Sequence, residues 1–259
     1  MRKVIVIALV GLIFVAIGAC ATSYQGKTFS KTLPKSILDR YCDSFETFRE
    51  DLWDAAGGLP TSSRSIEILV AEPNVEAGKL KLRTKTAGFS QGGLLSKFLL
   101  KGDFDLQIEV EANFNFGGWI PKIGMDQVIA LGVVAQGSED VLVMSMTCPE
   151  GNHTYTYITL SAMEHERWVS HAWQYFYSPR LVLRLVRIGA QVSAVYRTPG
   201  KGEWQELTTS DFGRETVSVF FGIQNYRGIR SQISADISFS VQFDDFRINA
   251  AEEIIESEM

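Results

Sequence analysis

Apolar and polar residues alternate along most of the chain, beginning near residue 45 and continuing to residue 249. Alternation with a period of two is typical of β-strands that bury one face, and Gly, Pro, Asn and Asp residues between such runs are typical of turns. The segments with this pattern, which are predicted as strands, are 78–86, 103–114, 128–135, 141–146, 154–163, 180–188, 191–197, 203–208, 217–225 and 233–249. No long amphipathic helix interrupts them, so the pattern predicts an all-β sandwich or jelly roll.

Local features predict how some of these strands turn or change direction. Gly189-Ala190, between two strong strands, predicts a tight hairpin, and the Gly-rich residues 88–93 predict a flexible loop. In the last strand the apolar residues change from odd to even positions at Asp244-Asp245. Because one extra residue turns every later side chain to the opposite face, we expect a β-bulge at this pair.

The N-terminus has the parts of a bacterial secretion signal. Two basic residues precede an unbroken apolar run over residues 4–19, which ends directly before Cys20. The sequence Ile17-Gly18-Ala19-Cys20 resembles a lipobox, the cleavage motif of bacterial lipoproteins. This resemblance implies that residues 1–19 are a lipoprotein signal peptide and that Cys20 is lipidated and becomes the first residue of the mature chain.

A transmembrane anchor and an ordinary secretion signal are the alternatives. A spanning helix needs about 20 apolar residues, whereas the run here is shorter and no basic cluster follows it. The lipoprotein that the motif implies carries more than one acyl chain, which anchors a protein stably to a membrane. The second residue after Cys20 is Thr22 and not aspartate. In enteric-type bacteria aspartate there favours retention at the inner membrane, so threonine resembles the pattern of proteins sorted to the outer membrane. We therefore expect a cell-envelope lipoprotein, at the outer membrane, on its periplasmic or surface face.

The remainder of the chain is predicted to have three parts. Residues 20–42 are polar and are predicted to be a tether with a short helical turn near its end. Residues 43–249 are predicted to form one β-sandwich domain, a usual size for this architecture. Residues 250–259 are rich in glutamate and are predicted to be an acidic tail, either a frayed helix or disordered.

Charge and cysteine content limit the partners. The net charge is −5, and it becomes −7 once Arg2 and Lys3 leave with the signal, which argues against a nucleic-acid partner. Cys42 and Cys148 would face an oxidising compartment, where a disulfide persists if their Cα atoms lie within about 7 Å. The alternative is two buried thiols, because cysteine is readily buried.

Several segments, in this order, resemble the concanavalin A-like lectin/glucanase superfamily, and within it the small bacterial domains related to laminin-G modules. They are residues 78–82 (GKLKL), 102–106 (GDFDL), 183–187 (LRLVR) with 195–197 (VYR) and 203–204 (EW), and 243–248 (FDDFRI), preceded by residues 45–53 as the opening strand. The resemblance covers residues 43–249 and implies two antiparallel sheets, one of them curved to form a concave face. Members of the superfamily bind sugars, hydrolyse glycosides or adhere to proteins, so the fold alone does not decide the activity.

Glu109 and Glu111 are the candidate catalytic residues. A retaining glycosidase needs two carboxylates about 5.5 Å apart, and these two share one face of a predicted strand. The hydrolases of the superfamily carry Glu-x-Asp-x-x-Glu on one strand, and residues 109–114 lack the middle Asp and the final Glu. The alternative is a solvated strand face.

Asp244 and Asp245 lie where related sandwiches hold structural calcium, so calcium is the one candidate cofactor. The alternative is that a carboxylate of this pair accepts hydrogen bonds from backbone N–H groups opened by the bulge.

Aromatic residues are the candidate ligand-binding groups. Trp173, Tyr175 and Tyr177 share one parity, so an extended segment would present three rings on one face. Flat rings with polar tips suit stacking on sugars, and Trp119 lies in a Gly/Pro-containing segment of the kind that often carries binding residues. The alternative is that these rings pack in the interior.

The sequence therefore predicts a membrane-anchored envelope lipoprotein with a non-catalytic binding role, for which a carbohydrate or glycan is the expected ligand. A glycoside hydrolase or lyase using Glu109 and Glu111 is the first alternative. A protein-interaction module of the envelope is the second.

Overall fold

The computed structural model describes residues 22–23, 26–57, 69–86, 89–114, 126–138, 140–148, 156–164, 167–176, 178–226 and 238–256. Within these residues the only helical turns are the α-helix Lys35–Leu38 (α1) and a 3₁₀ turn over Asp39–Tyr41. All other regular structure in them is β, which confirms the predicted all-β class.

Fifteen strands are found in the described residues, and most of them begin and end close to the predicted segments. They are β1 (Thr22–Ser23), β2 (Trp53–Ala56), β3 (Leu69–Val70), β4 (Asn74–Glu76), β5 (Lys79–Arg83), β6 (Ser90–Ala112), β7 (Asp126–Ala135), β8 (Val141–Cys148), β9 (Thr156–Glu164), β10 (Arg167–Phe176), β11 (Arg180–Ile188), β12 (Gln191–Arg197), β13 (Gln205–Asp211), β14 (Val217–Tyr226) and β15 (Ser240–Glu256). Residues 90–93 of the segment predicted as a loop (88–93) belong to β6 instead, and β10 is a strand that was not among the predicted segments.

The strands form two layers, which we call sheet I and sheet II. Sheet I has the order β2/β3, the first half of β6, β14, β7, β8, β9 and β10; sheet II has the order β4, β5, β15, the second half of β6, β11, β12, β13 and β1. All pairs are antiparallel except β3 with β6. The predicted two-sheet sandwich is therefore present, with one addition: β6 and its neighbour β15 run through both layers, and β6 makes the hydrogen-bond network continuous.

The core lies between the two sheets and is rich in aromatic rings. Phe221 of sheet I lies 5.1 Å from Phe243 of sheet II, measured between ring centroids. Near the other edge Phe176 of sheet I lies 5.9 Å from Tyr196 of sheet II. The period of two in the sequence therefore divides each strand into a core face and an outer face.

A buried arginine fixes the point where β6 passes from one layer to the other. Gly102 has φ +74°, a left-handed conformation that favours glycine, and its carbonyl accepts a 2.7 Å hydrogen bond from Nε of Arg187. Nη1 of Arg187 donates to the Glu215 carbonyl at 2.8 Å, and the guanidinium lies 4.5 Å from the Phe104 ring centroid. Burial lowers the pKa of Arg187 to about 10, still far above neutrality, so the group stays charged.

The predicted bulge and hairpin are both present. The register of β15 against β6 shifts between Asp244 and Arg247, and Asp245 has φ +50°. β11 and β12 pair directly around Gly189, whose φ is +61°.

The predicted opening strand at 45–53 is wrong. Phe45 has φ +55°, and extended structure begins only at Trp53. The cause is Asp43, which is 5% exposed: Oδ1 accepts a hydrogen bond from the Phe45 N–H at 2.7 Å, and Oδ2 accepts one from Nε1 of Trp53 at 2.8 Å. A short polar side chain that hydrogen-bonds the backbone two residues ahead favours a turn over a strand.

We expect Asp43 to make stability fall as the pH rises, because burial raises its pKa. The folded state then keeps the proton to a higher pH than the unfolded state, so the stabilisation is complete below pH 3.8 and is lost as the pH rises through the folded-state pKa. Denaturant titrations at several pH values should show wild type losing free energy of unfolding relative to Asp43→Asn as the pH rises. Asp51→Asn is the control, for which the opposite pH dependence is expected. The hydrogen bond from Arg49 lowers the pKa of Asp51, so the stability that Asp51 contributes is lost as the pH falls. A pH-independent difference between wild type and Asp43→Asn would contradict the prediction.

The predicted tether and the predicted tail both lie on the sandwich. Thr22 and Ser23 pair with Glu206 and Gln205 of β13, and α1 packs with Leu38 buried. At the other end β15 continues to Glu256 as a strand, paired with the Phe98 end of β6. The part of residues 20–42 that is described is therefore a docked segment, and the part of 250–259 that is described is neither helical nor disordered.

Candidate functional site

The outer face of sheet I carries a strip of polar and aromatic side chains that runs across six strands. Residues directly opposite each other in neighbouring strands share a face, so the register defines two adjacent rows. The first row is Gln91, Gln224, Val128, Thr147, Tyr157 and Tyr175, and the second is Gly93, Gly222, Ala130, Ser145, Thr159 and Trp173. We call these two rows the binding strip.

Trp173 and Tyr175 form the aromatic end of the binding strip. They are 57% and 48% exposed, and their ring centroids lie 5.0 Å apart at an interplanar angle of 76°. Both belong to β10, where Gln174 and Phe176 point to the core instead. Trp173 and Tyr175 therefore share one face of an extended strand, as the sequence predicted, and this face is at the surface and not in the interior.

Small and hydroxyl-bearing residues form the middle of the strip. Gly93, Gly222 and Ala130 leave little side-chain volume above the sheet, while Ser145 and Thr159 share a 2.7 Å hydrogen bond. Both hydroxyl groups are on buried residues, at 7% and 8% exposure. This arrangement offers donors and acceptors beside the aromatic pair.

The far end of the strip holds a buried amide. Gln91 is 0% exposed, and neither Nε2 nor Oε1 has a hydrogen-bond partner among the described residues. A buried amide without partners is costly, and at 0% exposure the Gln91 side chain is closed to a ligand at the surface of the sheet.

No described residue of the binding strip is acidic. Asp54, near one border of the same face, pairs with Lys97 at 3.1 Å. A retaining or inverting glycosidase needs two carboxyl groups flanking the scissile bond. The described residues of the binding strip include no such pair.

The candidate catalytic pair lies on the opposite side of the molecule, on the outer face of sheet II. Glu109 pairs with Arg180, whose Nε donates at 2.7 Å, and Glu111 lies 3.8 Å from Nζ of Lys79. The hydrogen bond that Arg180 donates to Glu109 raises the pKa of Arg180. Glu109 and Glu111 share a face as predicted, but they belong to a network of exposed ion pairs and are separated from Trp173 and Tyr175 by the whole thickness of the sandwich.

The remaining site candidates have ordinary structural partners. Oδ2 of Asp244 lies 3.6 Å from Nζ of Lys79, and Oδ1 of Asp245 accepts a 2.6 Å hydrogen bond from Arg247. No group of three or more Asp, Glu, His or Cys side chains that could hold a metal is found among the described residues, so the calcium prediction gains no support there.

Cys42 and Cys148 do not form the candidate disulfide; both are thiols. Cys42 is half-buried beside β15, where its Sγ accepts a hydrogen bond from the Ile248 N–H at 3.4 Å. Cys148 is 4% exposed and belongs to the core between the sheets. Burial raises the pKa of the Cys42 thiol, which reduces its reactivity.

Three sequence-predicted groups, Cys20, Trp119 and Tyr177, lie outside the described residues, as does the signal peptide. In the part of the chain that the structure describes, no helix is long and apolar enough to cross a membrane.

Sequence reasoning missed most of the binding strip. Thr147, Tyr157 and Gln224 lie on three different strands, and only the register brings them into one row. One signal was available: Ser145 and Thr147 are the polar positions of an otherwise apolar strand, and their shared parity marks the outer face of β8.

Comparison with known proteins defines the fold. No protein-family model matches the chain, and no curated protein sequence matches it. Among solved structures, the β-glucanase of Bacillus licheniformis superposes with a TM-score of 0.55 at 10% identity, over 80% of this chain and 96% of that chain.

Two further structures are similar to the same extent. The CBM2 module of the evolved Dit protein of Lactobacillus casei BL23 phage J-1 has a TM-score of 0.57 at 8% identity, over 81% of this chain and 95% of that one. LamA of Zobellia galactanivorans, solved with laminaritriose and laminaritetraose, has a TM-score of 0.57 at 10% identity, over 85% and 99%. The chain therefore has the concanavalin A-like jelly-roll fold, as the sequence resemblance implied. At these identities the likeness defines the fold alone.

Proposed function

We propose that this protein is a membrane-anchored, non-catalytic glycan-binding lipoprotein of the cell envelope. The observation that carries the proposal is the exposed Trp173–Tyr175 pair at the end of a polar strip on sheet I. A sugar ring presents an apolar C–H face and a rim of hydroxyl groups. Aromatic rings with polar tips suit the first, and the hydroxyl and amide groups of the strip suit the second.

The non-catalytic part of the proposal rests on the distribution of carboxylates. The described residues of the binding strip include none, and the acidic pair Glu109 and Glu111 is held by Arg180 and Lys79 on the other side of the sandwich. Hydrolysis at the strip would require carboxyl groups on both sides of a bound glycosidic bond. Binding without cleavage requires only the groups that are present.

The glycan class is inferred from the structural neighbours. LamA was solved with laminaritriose and laminaritetraose, and a glycoside hydrolase of Bacteroides ovatus with the same fold was solved with a product of mixed-linkage glucan. We therefore infer a β-glucan as the first ligand to test. The anchor is inferred from the lipobox-like sequence that ends at Cys20.

Replacing both aromatic residues, Trp173→Ala and Tyr175→Ala, is expected to weaken binding of laminarin and of mixed-linkage β-glucan at least tenfold. The reason is the loss of stacking area, since about 1.4 kcal/mol corresponds to a factor of ten in affinity. Titration calorimetry and affinity electrophoresis on the soluble Cys20→Ser protein would measure this loss. The fold should be unchanged because both side chains are exposed, Trp173 at 57% and Tyr175 at 48%.

The matched control is the Glu109→Gln, Glu111→Gln double variant, which changes the opposite face and should bind both glucans as wild type does. Unchanged affinity in the aromatic double variant would refute the site. Absence of wild-type binding to both glucans would refute the β-glucan assignment. Release of reducing ends by wild type, lowered in the acidic double variant, would establish the hydrolase alternative instead.

A further inference from the structure

The described chain is attached to the sandwich from its first paired residue onward. Thr22 and Ser23 extend sheet II as its edge strand, opposite Glu206 and Gln205. Only Ala21 separates this strand from Cys20, the proposed lipid attachment site.

Residues 26–31 continue across the outer face of sheet II. Nζ of Lys27 donates a 2.8 Å hydrogen bond to Oγ of Ser193, and Phe29 packs on the buried side chains of Val186 and Val195. The same apolar cluster includes Trp204, whose ring is held by Arg184 and Arg197 at 4.7 and 4.4 Å from its centroid. The segment therefore covers an apolar part of this face that would otherwise be exposed.

Residues 32–43 complete the attachment at β15. The Leu33 N–H donates to the Ala251 carbonyl at 2.8 Å, and the Ala251 N–H donates to Oγ1 of Thr32 at 3.3 Å. Leu38 and Tyr41 are 4% and 8% exposed and join the main core. The backbone of Asp43 then exchanges hydrogen bonds with Phe246 in both directions, at 2.9 Å each.

The same edge of the sandwich carries the aromatic end of the binding strip. Tyr196 is opposite Gln205, which is opposite Ser23. The Tyr196 hydroxyl crosses to sheet I and donates to Oε1 of Gln174 at 2.9 Å, between Trp173 and Tyr175 in β10. β10 also contacts β13 directly, and β1 lies one strand further out.

We propose that residues 22–23 and 26–42 form a docked strap and that lipid on Cys20 holds the edge formed by β1, β13 and β10 against the bilayer. The inference rests on the anchoring at Cys20 proposed above. The two residues from Cys20 to Thr22 span ~7 Å at most, whereas a free tether over 20–42 would reach ~70 Å. The binding strip is thus held within roughly 30 Å of the membrane, from strand spacings of ~4.8 Å and a sheet spacing of ~10 Å.

Limited trypsin digestion tests whether the strap is docked, without any lipid or glycan. In the soluble Cys20→Ser protein, cleavage after Lys27 and Lys31 should be slow, because a bound segment must detach before it enters a protease. Phe29→Ala should raise the rate about tenfold, while Ser30→Ala, at the exposed neighbouring position, should leave it unchanged. Cleavage of wild type at the rate of an unfolded peptide, or equal rates in Phe29→Ala and Ser30→Ala, would overturn the docked strap.

Energy transfer to the membrane tests the orientation. The lipidated protein, with Cys42→Ser and Cys148→Ala, would be placed in phosphatidylethanolamine/phosphatidylglycerol vesicles carrying an acceptor on their headgroups. Donors would be attached at Glu203→Cys, beside β13, or at Asn74→Cys in β4, six strands away in sheet II and therefore ~29 Å distant. Transfer should be clearly stronger from position 203 than from position 74.

The control inserts twenty Gly/Ser residues between Ala21 and Thr22, which should make transfer from the two positions equal. Equal transfer without the insertion would overturn the bilayer-facing edge. Failure of the lipidated protein to associate with vesicles would refute the anchor and the orientation together, and the trypsin result would still decide the docked strap. Neither experiment contains a glycan, so both are independent of the proposed ligand.

Discussion

Replacing Cys20 by serine is expected to move the protein from the membrane fraction to the soluble fraction with its fold intact. Serine has no thiol to receive a lipid, and two or more acyl chains account for stable attachment. None of the described residues forms a helix that could span the bilayer in their place. The described strands begin at Thr22, two residues after Cys20.

Fractionation after a high-salt wash, together with circular dichroism of the released protein, would measure both parts of this prediction. Cys42→Ser is the matched control, because it removes another thiol outside the fully buried core and should leave the protein on the membrane. A Cys20→Ser protein that has lost its signal and still sediments with membranes would show that the domain itself binds lipid. A variant that retains residues 1–19 and stays on the membrane would support the transmembrane-anchor alternative.

Replacing Trp53 by alanine should cost about 3–5 kcal/mol of the free energy of unfolding. Trp53 is 1% exposed and lies at the centre of an aromatic cluster, 5.0 Å from both Phe221 and Phe246 and 5.8 Å from Phe98, between ring centroids. Its removal leaves a cavity that rings on both sheets cannot fill. It also removes the indole N–H that donates to the buried carboxylate of Asp43. Because a domain is typically stable by only about 5–15 kcal/mol, this loss is a large fraction of the total.

Two variants separate the causes. Trp173→Ala deletes the same side chain from an exposed position and should change the free energy of unfolding by about 0.5 kcal/mol or less. Trp53→Phe keeps most of the volume but loses the indole donor, so its cost should be about 1–3 kcal/mol. Urea titrations of all three variants would provide the numbers. Equal destabilisation by Trp53→Ala and Trp173→Ala would contradict the assignment of Trp53 to the core.

Most strands could be predicted because each carries its own alternation. β11 and β12 are bounded exactly as the sequence indicates, since both strands alternate strongly and a Gly turn joins them. The errors fall where a distant partner decides the backbone. Residues 90–93 extend because β14 pairs with all four and β3 pairs with the first two. Residues 45–52 turn because Asp43 binds both Phe45 and Trp53. Neither effect can be recognised locally. The Gly-rich sequence of residues 90–93 predicts a loop, and the alternating sequence of residues 45–52 predicts a strand.

The candidate site could be predicted in part for the same reason. Parity within one strand was enough to place Trp173 and Tyr175 on one face. Their neighbours Tyr157 and Thr159 come from another strand, and Gln91 lies five strands from β10, so only the register could bring them into the strip. The acidic pair shows the converse: Glu109 and Glu111 share a face as predicted, but the face is the one opposite the aromatic residues.

The sequence by itself determined the all-β class, the position of the β-bulge and the motif that marks Cys20, because each depends on residues that are near neighbours in the chain. Only the tertiary structure decided that the described part of the polar segment after Cys20 lies on the sandwich, and that the aromatic residues and the acidic pair occupy opposite outer faces. Polar composition does not distinguish a free segment from a docked one; the difference is made by a few contacts, such as Phe29 on Val186 and the Leu33 N–H on the Ala251 carbonyl. These contacts join residues more than 150 positions apart, and they exist only once the two sheets have formed.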